Sequence, residues 1–348
     1  MTDVPNYLKD HAETYKRSPH QANLEWFANA RFGLFLHYGL YSQLARGEWV
    51  MHHEKIPADE YAKLAETFDP SGFDAEFIAD LAVEAGMSYV NLTACHHEGF
   101  CLWGSKVEPF NSVNVCGRDL VGELAAACDA RGLGFFAYFT HCLNWRLPFS
   151  DPQRHPLMGG QEAPPPSAEE IAEFWRWSHG CIREICQLPV PLAGVWLDII
   201  RMYYTNPERV PIEQTYELIG RQRPEALIAF KQGATGTEDF ASPERSFRSL
   251  GEPLRKAGLE QAAQRADAAW EANRHKHNEI CMTLQRGAWG YQEDAEHLDA
   301  DALGAELDYA GKHNCNLLAN TGPLPDGSIH PDDVASLREV GRRLANSR

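Results

Sequence analysis

Short apolar runs alternate with amphipathic helical segments from about residue 30 to the end of the chain, and this alternation restricts the fold more than any other feature. Strand-like runs cover residues 30–39, 88–95, 133–140, 193–200, 226–231, 279–284 and 315–320. Helical patterns, with apolar residues three and four apart, fill the intervals at 58–68, 74–85, 119–131, 167–187, 212–221, 250–274, 301–313 and 331–345. Gly86 and Gly132 stop two of these helices, and Ser167 with Glu170 forms a capping-box pattern at the start of a third. Strand–helix alternation predicts a parallel sheet under helical cover. The strands are apolar at nearly every position, as expected when both faces are buried.

Nucleotide-binding sheets carry a glycine-rich phosphate loop, and neither GxGxxG after the first strand nor GxxxxGK[ST] occurs. The expected architecture is therefore an α/β fold of the (β/α)8-like, TIM-barrel type with some irregularity. Residues 1–24 read as an N-terminal arm or outer helix, and 25–348 as one barrel domain. The Pro/Gly-rich stretch 148–166 reads as a long loop, of the kind that carries function or moves.

A formal charge of −17 argues against nucleic acid and anionic membranes as partners. Nine cysteines cannot all pair and include no CxxC, so buried free thiols in a reducing compartment are expected. The N-terminus lacks an apolar signal core and no run approaches a membrane-spanning length, which points to a cytoplasmic protein. Nothing in the chain indicates an oligomeric state.

The run Ala193-Gly194-Val195-Trp196-Leu197-Asp198-Ile199-Ile200 ends in a carboxylate that a buried strand does not need. In a barrel that end is the functional face. Side chains alternate along a strand, so Trp196 and Asp198 point to the same side. Two readings stand: Asp198 caps the following helix, or it serves a ligand. The other strand ends would deliver His37, His96, His97, Tyr138, Lys231 and Trp289 to the same face. Imidazoles bond hydroxyls and aromatic planes cover an apolar ring face, so this set suits a polyhydroxylated ring. In a regular strand only one of His96 and His97 faces inward; a loop frees both. His37, His96, His97 and Asp198 are also enough donors for a metal, but without ligand spacing on one strand or helix. No GxSxG elbow is present. Glycoside hydrolysis needs a second carboxyl group, and the loop 237–244 offers Glu238, Asp239 and Glu244.

Several motifs, in order, resemble the α-L-fucosidases of glycoside hydrolase family 29. They are Ala30-Arg31-Phe32-Gly33-Leu34-Phe35-Leu36-His37-Tyr38-Gly39-Leu40-Tyr41-Ser42, Glu48-Trp49, His96-His97-Glu98-Gly99-Phe100-Cys101-Leu102-Trp103, and Val195-Trp196-Leu197-Asp198. Trp289-Gly290-Tyr291 and Leu317-Leu318-Ala319-Asn320-Thr321-Gly322-Pro323 continue the likeness, which spans about 25–345. The resemblance implies a retaining exo-α-L-fucosidase with no metal or organic cofactor, acting on fucosylated small glycosides or oligosaccharides. It places Asp198 on the nucleophile. His37, His96 and His97 fall on positions that bond fucose hydroxyls, with Glu48, Trp49, Tyr138, Trp196, Lys231 and Trp289 around the same pocket. The match over 239–244 selects Glu244 as acid/base, with Glu238 second and Glu279 third. Lys231 stands where the family often has arginine, and removes a bidentate fork there. Many relatives carry a secretion signal and a C-terminal β-sandwich; this sequence is expected to have neither. Two other functions compete: a catalytically inactive fucose-binding barrel and a metal-dependent barrel hydrolase.

Overall fold

In the computed structural model, residues 4–150 and 166–346 are described; most of the loop expected at 148–166 lies outside them. Seven strands form one parallel sheet: β1 (Phe32–Leu36), β2 (Tyr89–Cys95), β3 (Gly134–Phe139), β4 (Gly194–Leu197), β5 (Leu227–Phe230), β6 (Asn278–Thr283) and β7 (Cys315–Thr321). Their spatial order is β5-β4-β3-β2-β1-β7-β6. Each strand sits where an apolar run is found, and helices at 75–84, 120–130, 168–186, 212–222, 300–312 and 331–346 occupy the intervals. The capping box at Ser167 and Glu170 is formed, and Gly86 and Gly132 take the left-handed conformation that ends a helix. The long helix expected over 250–274 is two, Gly251–Lys256 and Glu260–Asn273, broken at Gly258, where φ is +76°.

Alternation sorts the strand residues into two cores. Phe32, Leu34, Val90, Phe135, Val195 and Ile280 face the helices. Phe35, Tyr89, Phe136, Tyr138, Trp196 and Leu318 face inward, into a core of their own. An inner core of large aromatic rings requires the sheet to curl around it, as in a barrel. Glycines make the room. A Cβ on Gly134 would lie 2.2 Å from the Trp26 ring, and one on Gly33 would lie 2.4 Å from the ring of Tyr89.

The gap between β5 and β6 is filled by chain that reads as loop. Asp239 N–H donates to Ile228 at 2.9 Å and Ser242 N–H to Lys231 at 2.5 Å, while Glu279 N–H reaches Ala241 at 2.9 Å and Cys281 N–H reaches Pro243 at 3.1 Å. Residues 239–245 thus occupy the eighth place of the barrel, with parallel bridges Ala229–Phe240 and Glu244–Cys281. Pro243 has no N–H to continue a ladder, so this edge bonds irregularly.

The N-terminal residues are less peripheral than their polarity suggests. The expected boundary at 24 falls inside the helix Pro19–Ala30, whose Trp26 and Phe27 pack on Tyr89, Phe136 and Phe240 and close the barrel floor. Among the described residues, no helix is long and apolar enough to cross a membrane.

Candidate active site

The C-terminal ends of the strands converge on a cavity of about 250 Å³. Its lining includes His37, Glu48, Trp49, His96, His97, Tyr138, Trp196, Asp198, Lys231, Glu244 and Trp289. Phe35 and Ile199 also contribute. Neither was expected from the sequence, although Phe35 stands two residues before His37 and alternation puts it on the same side.

Asp198 does not cap a helix. The N-cap of the helix Ile200–Thr205 is Ile199, in left-handed conformation at φ 68°, with no side-chain cap bond. Asp198 Oδ1 instead accepts the Ile199 N–H at 2.6 Å and Oδ2 accepts the Tyr138 hydroxyl at 2.7 Å. Tyr138 has no freedom to turn away, because Thr140 Oγ1 donates to its oxygen at 3.0 Å. Burial, then Asp198, pushes the Tyr138 pKa well above its ordinary value and keeps the phenol a donor.

Lys231 stands between the two candidate carboxyl groups. Its Nζ lies 3.6 Å from Asp198 Oδ1 and bonds Glu244 Oε1. It also sits 5.0 Å from the Trp196 ring and 5.5 Å from that of Trp289. Burial opposes its charge, but Asp198 and Glu244 override that and hold the pKa above the usual lysine range. Ile199, Lys231 and Arg245 all have positive φ, at 68°, 44° and 57°. For non-glycine residues this is strained backbone, and here it accompanies each charged group of the site.

Three imidazoles form one wall. Burial, then His96, drives the His37 pKa well down, so the ring is neutral near pH 7. Asn320 Nδ2 donates to the Trp289 carbonyl at 2.8 Å, which turns its Oδ1 toward His37 Nδ1 at 2.6 Å. His37 Nδ1 is therefore the donor and Nε2 the bare acceptor. His96 is pushed down to about 3, by burial and then Lys231. His97 is also lowered, by burial and then by His96. Both reach the cavity because β2 ends at Cys95, after a register shift against β3, and the pair lies in the turn closed by Gly99 N–H to His96 at 2.9 Å. Among the described residues, His96 Nδ1 and both ring nitrogens of His97 lack hydrogen-bond partners although buried. Unmade bonds of that kind cost roughly 1–3 kcal/mol each, which a ligand with hydroxyl groups would recover.

Aromatic rings make the other wall. Trp289 lies 5.0 Å from His37, and Trp196 stacks on Tyr138 at 5.4 Å. Trp49 and Trp145 bracket His97 at 4.6 and 3.8 Å. Glu48 fixes the Trp289 loop: its Oε2 accepts the N–H groups of Trp289 and Gly290 at 2.9 and 2.8 Å.

The other two acids lie elsewhere. Glu238 accepts from Tyr216 at 2.5 Å, from the N–H groups of Ala234, Thr235 and Gly236 at 2.7, 3.0 and 2.9 Å, and from Asn273 at 3.0 Å. It ties the 234–238 loop together, outside the cavity. Glu279 points into the barrel under Trp196, accepting from its Nε1 at 3.0 Å, from Tyr89 at 2.5 Å and from Ser242 at 2.7 Å. Burial raises its pKa against these bonds. Among the described residues, no group of three or more His, Cys, Asp or Glu is placed to hold a metal ion.

Two carboxyl groups facing an aromatic-walled, hydroxyl-bonding cavity at the catalytic end of a barrel define a site of the glycoside hydrolase class. Comparison with known proteins gives the family. The alpha-L-fucosidase family model matches residues 5–347, and the chain belongs to that glycoside hydrolase family. Tissue alpha-L-fucosidase of Mus musculus is 38% identical over 363 residues, covering 92% of this chain and 69% of that protein. The tissue enzyme of Bos taurus is 27% identical over 388 residues, covering 99% and 71%. Among solved structures, alpha-L-fucosidase isoenzyme 1 from Paenibacillus thiaminolyticus superposes with a TM-score of 0.76 at 26% identity, covering 94% of this chain and 76% of that one.

Proposed function

We propose that the chain is a retaining exo-α-L-fucosidase that releases terminal fucose from small glycosides or oligosaccharides. The observation that carries this reading is the sharing of Lys231 by Asp198 and Glu244. Two carboxylates that reach one ammonium stand close enough to act on one glycosidic bond, as a retaining pair at about 5–5.5 Å must.

In the first step an Asp198 oxygen bonds the anomeric carbon as the glycosidic C–O bond breaks, and protonated Glu244 gives its proton to the leaving oxygen. In the second, Glu244 takes a proton from water, the water oxygen bonds the anomeric carbon and Asp198 leaves as carboxylate. Tyr138 fixes the attacking carboxylate. Glu244, nearly half exposed, can exchange protons with solvent, whereas Asp198 is 13% exposed. His37 Nε2, His96 and His97 would bond the sugar hydroxyls, while Trp289 and Trp196 would cover the methyl group and ring face. No step calls on a metal or an organic cofactor. All nine cysteines are free, which supports a reducing, cytoplasmic setting.

The test is turnover of a chromogenic α-L-fucoside by the parent chain and by Asp198→Gly, with and without azide. Loss of activity and its recovery as the β-fucosyl azide are expected. Substantial unaided activity of Asp198→Gly would remove Asp198 from its role; an inert parent chain would favour a fucose-binding protein.

A further inference from the structure

The cavity at the strand ends adjoins a second, larger one of about 470 Å³. Trp49, Asp198, Ile199, Lys231 and Glu244 line both. Glu244 therefore stands on the wall that the two spaces share, where the proposed acid meets the leaving oxygen. The second space is on the side of the breaking bond from which the aglycone departs.

Its lining combines two chemistries. Leu143, Ile200, Met202, Leu250 and Pro253 offer apolar surface. Arg201, Arg245 and Arg248 add three cations at the exposed rim. Among the described residues, none of these three arginines has a carboxylate within ion-pair reach, and Arg245 makes only a long bond, 3.3 Å, to Thr283 Oγ1. Many other arginines on this acidic surface are paired, among them Arg46 with Glu54, Arg118 with Glu123, Arg131 with Asp80 and Arg255 with Asp267. Among the described residues, the acids that line the chamber are Asp198 and Glu244, and both already face Lys231. Among the described residues of a chain of net charge −17, three guanidinium groups thus stand without a carboxylate partner around one opening beside the carboxyl pair. Unpaired cations rimming a cleft focus a positive potential on whatever enters it.

We propose that this chamber binds the leaving group, and that it selects fucosides whose leaving sugar carries an acidic substituent. The inference rests on the glycosidase reading above. A guanidinium fork matches the paired oxygens of a carboxylate, a sulfate or a phosphate, and these share the chemistry that the rim recognises. The apolar wall takes the ring of the leaving sugar, while the rim takes its charge. Selection acts on binding of the leaving group and leaves the two-step chemistry unchanged.

The experiment compares kcat/KM for fucosyl disaccharides that share one linkage. The second sugar is neutral, a uronic acid, a 6-sulfate or a 6-phosphate. Two exposed ion pairs are worth about tenfold together, so the acidic disaccharides should exceed the neutral one by about that factor. The advantage should shrink at about 1 M salt, where the Debye length is roughly 3 Å. It should vanish in Arg201→Gln/Arg248→Gln, with turnover of the neutral disaccharide unchanged. A preference for the carboxylate alone, or for sulfate and phosphate alone, supports the rim and identifies its anion. Equal kcat/KM across the set would overturn this inference and leave the fucosidase reading intact. No turnover of any member, or of a simple aryl fucoside, would overturn both.

Discussion

Tyr138 donates its hydroxyl hydrogen to Asp198 Oδ2 at 2.7 Å, from the neighbouring strand and one layer deeper in the barrel. Because Thr140 supplies the other bond to the phenol oxygen, the proton of Tyr138 is committed to Asp198. The pair couples a wall of the barrel to its proposed nucleophile.

Tyr138→Phe keeps the ring stacked on Trp196 and removes that one bond. A hydrogen bond to a charged group is worth about 1.5–3 kcal/mol, so kcat should fall by about 10- to 100-fold. KM and the melting temperature should change little. Steady-state kinetics on an aryl fucoside with a melting curve would check this; an unchanged kcat would mean that Asp198 does not depend on the bond.

Glu244 and Glu238 are separable by the same substitution at each. Glu244→Ala should lose roughly 10²–10⁴-fold on fucosides with poor leaving groups and far less on activated aryl fucosides, with azide giving the α-fucosyl azide. Glu238→Ala strips an acceptor from five donors and should instead lower the melting temperature. Azide rescue of Glu238→Ala, and none of Glu244→Ala, would reverse the assignment.

Lys231 offers a test of electrostatics. Lys231→Met leaves two carboxylates facing one another in a narrow cavity and should cost about 100-fold or more in kcat/KM. Lys231→Arg retains the cation and should keep most of the activity. A fully active Met variant would reduce Lys231 to packing.

The sequence made some of this legible and hid the rest for identifiable reasons. Inward-facing residues obey strand alternation, so the sequence alone places His37, Trp196 and Asp198 on one rim. The choice between cap and ligand at Asp198 could not be made, since it turns on the left-handed backbone of Ile199. The eighth barrel position was invisible because Pro243 and the small and acidic residues before it imitate a loop. Its hydrogen bonds come from β5 and from β6, the latter far away in sequence. That same segment carries Glu244, which explains why composition alone left three acids open. The role of the floor helix is hard to read because Trp26 and Phe27 carry it within a stretch of mostly small and polar residues.

Acid should unfold this protein through its buried imidazoles. His96 and His141 are pushed down to about 3, chiefly by burial. In the unfolded chain both titrate near 6.5. Between those values the unfolded state binds more protons, so stability is intact above about 6.5 and falls as pH drops through the window. At pH 5 the cost is of order 2 kcal/mol per imidazole. Glu98, raised to about 7 by burial, works in the opposite sense because its folded form holds the proton more tightly. His37 and His97 are also lowered and add to the imidazole side. Calorimetry at pH 7, 6 and 5 should show a falling melting temperature; a flat or rising series would contradict the balance.

The floor can be tested by filling the space that Gly134 leaves. An added Cβ would lie 2.2 Å from Trp26 Cη2, so Gly134→Ala must displace either the indole or β3. Overpacking of this kind costs about 1–3 kcal/mol. Trp26→Phe shortens the ring and should be mildly destabilising alone, through lost contact with Phe136 and Tyr89. If the two side chains compete for one space, the double variant should be more stable than the sum of the single effects predicts. Chemical denaturation of the four proteins closes the cycle. Strict additivity would mean that Gly134 is required by the strand and not by the helix that closes the barrel.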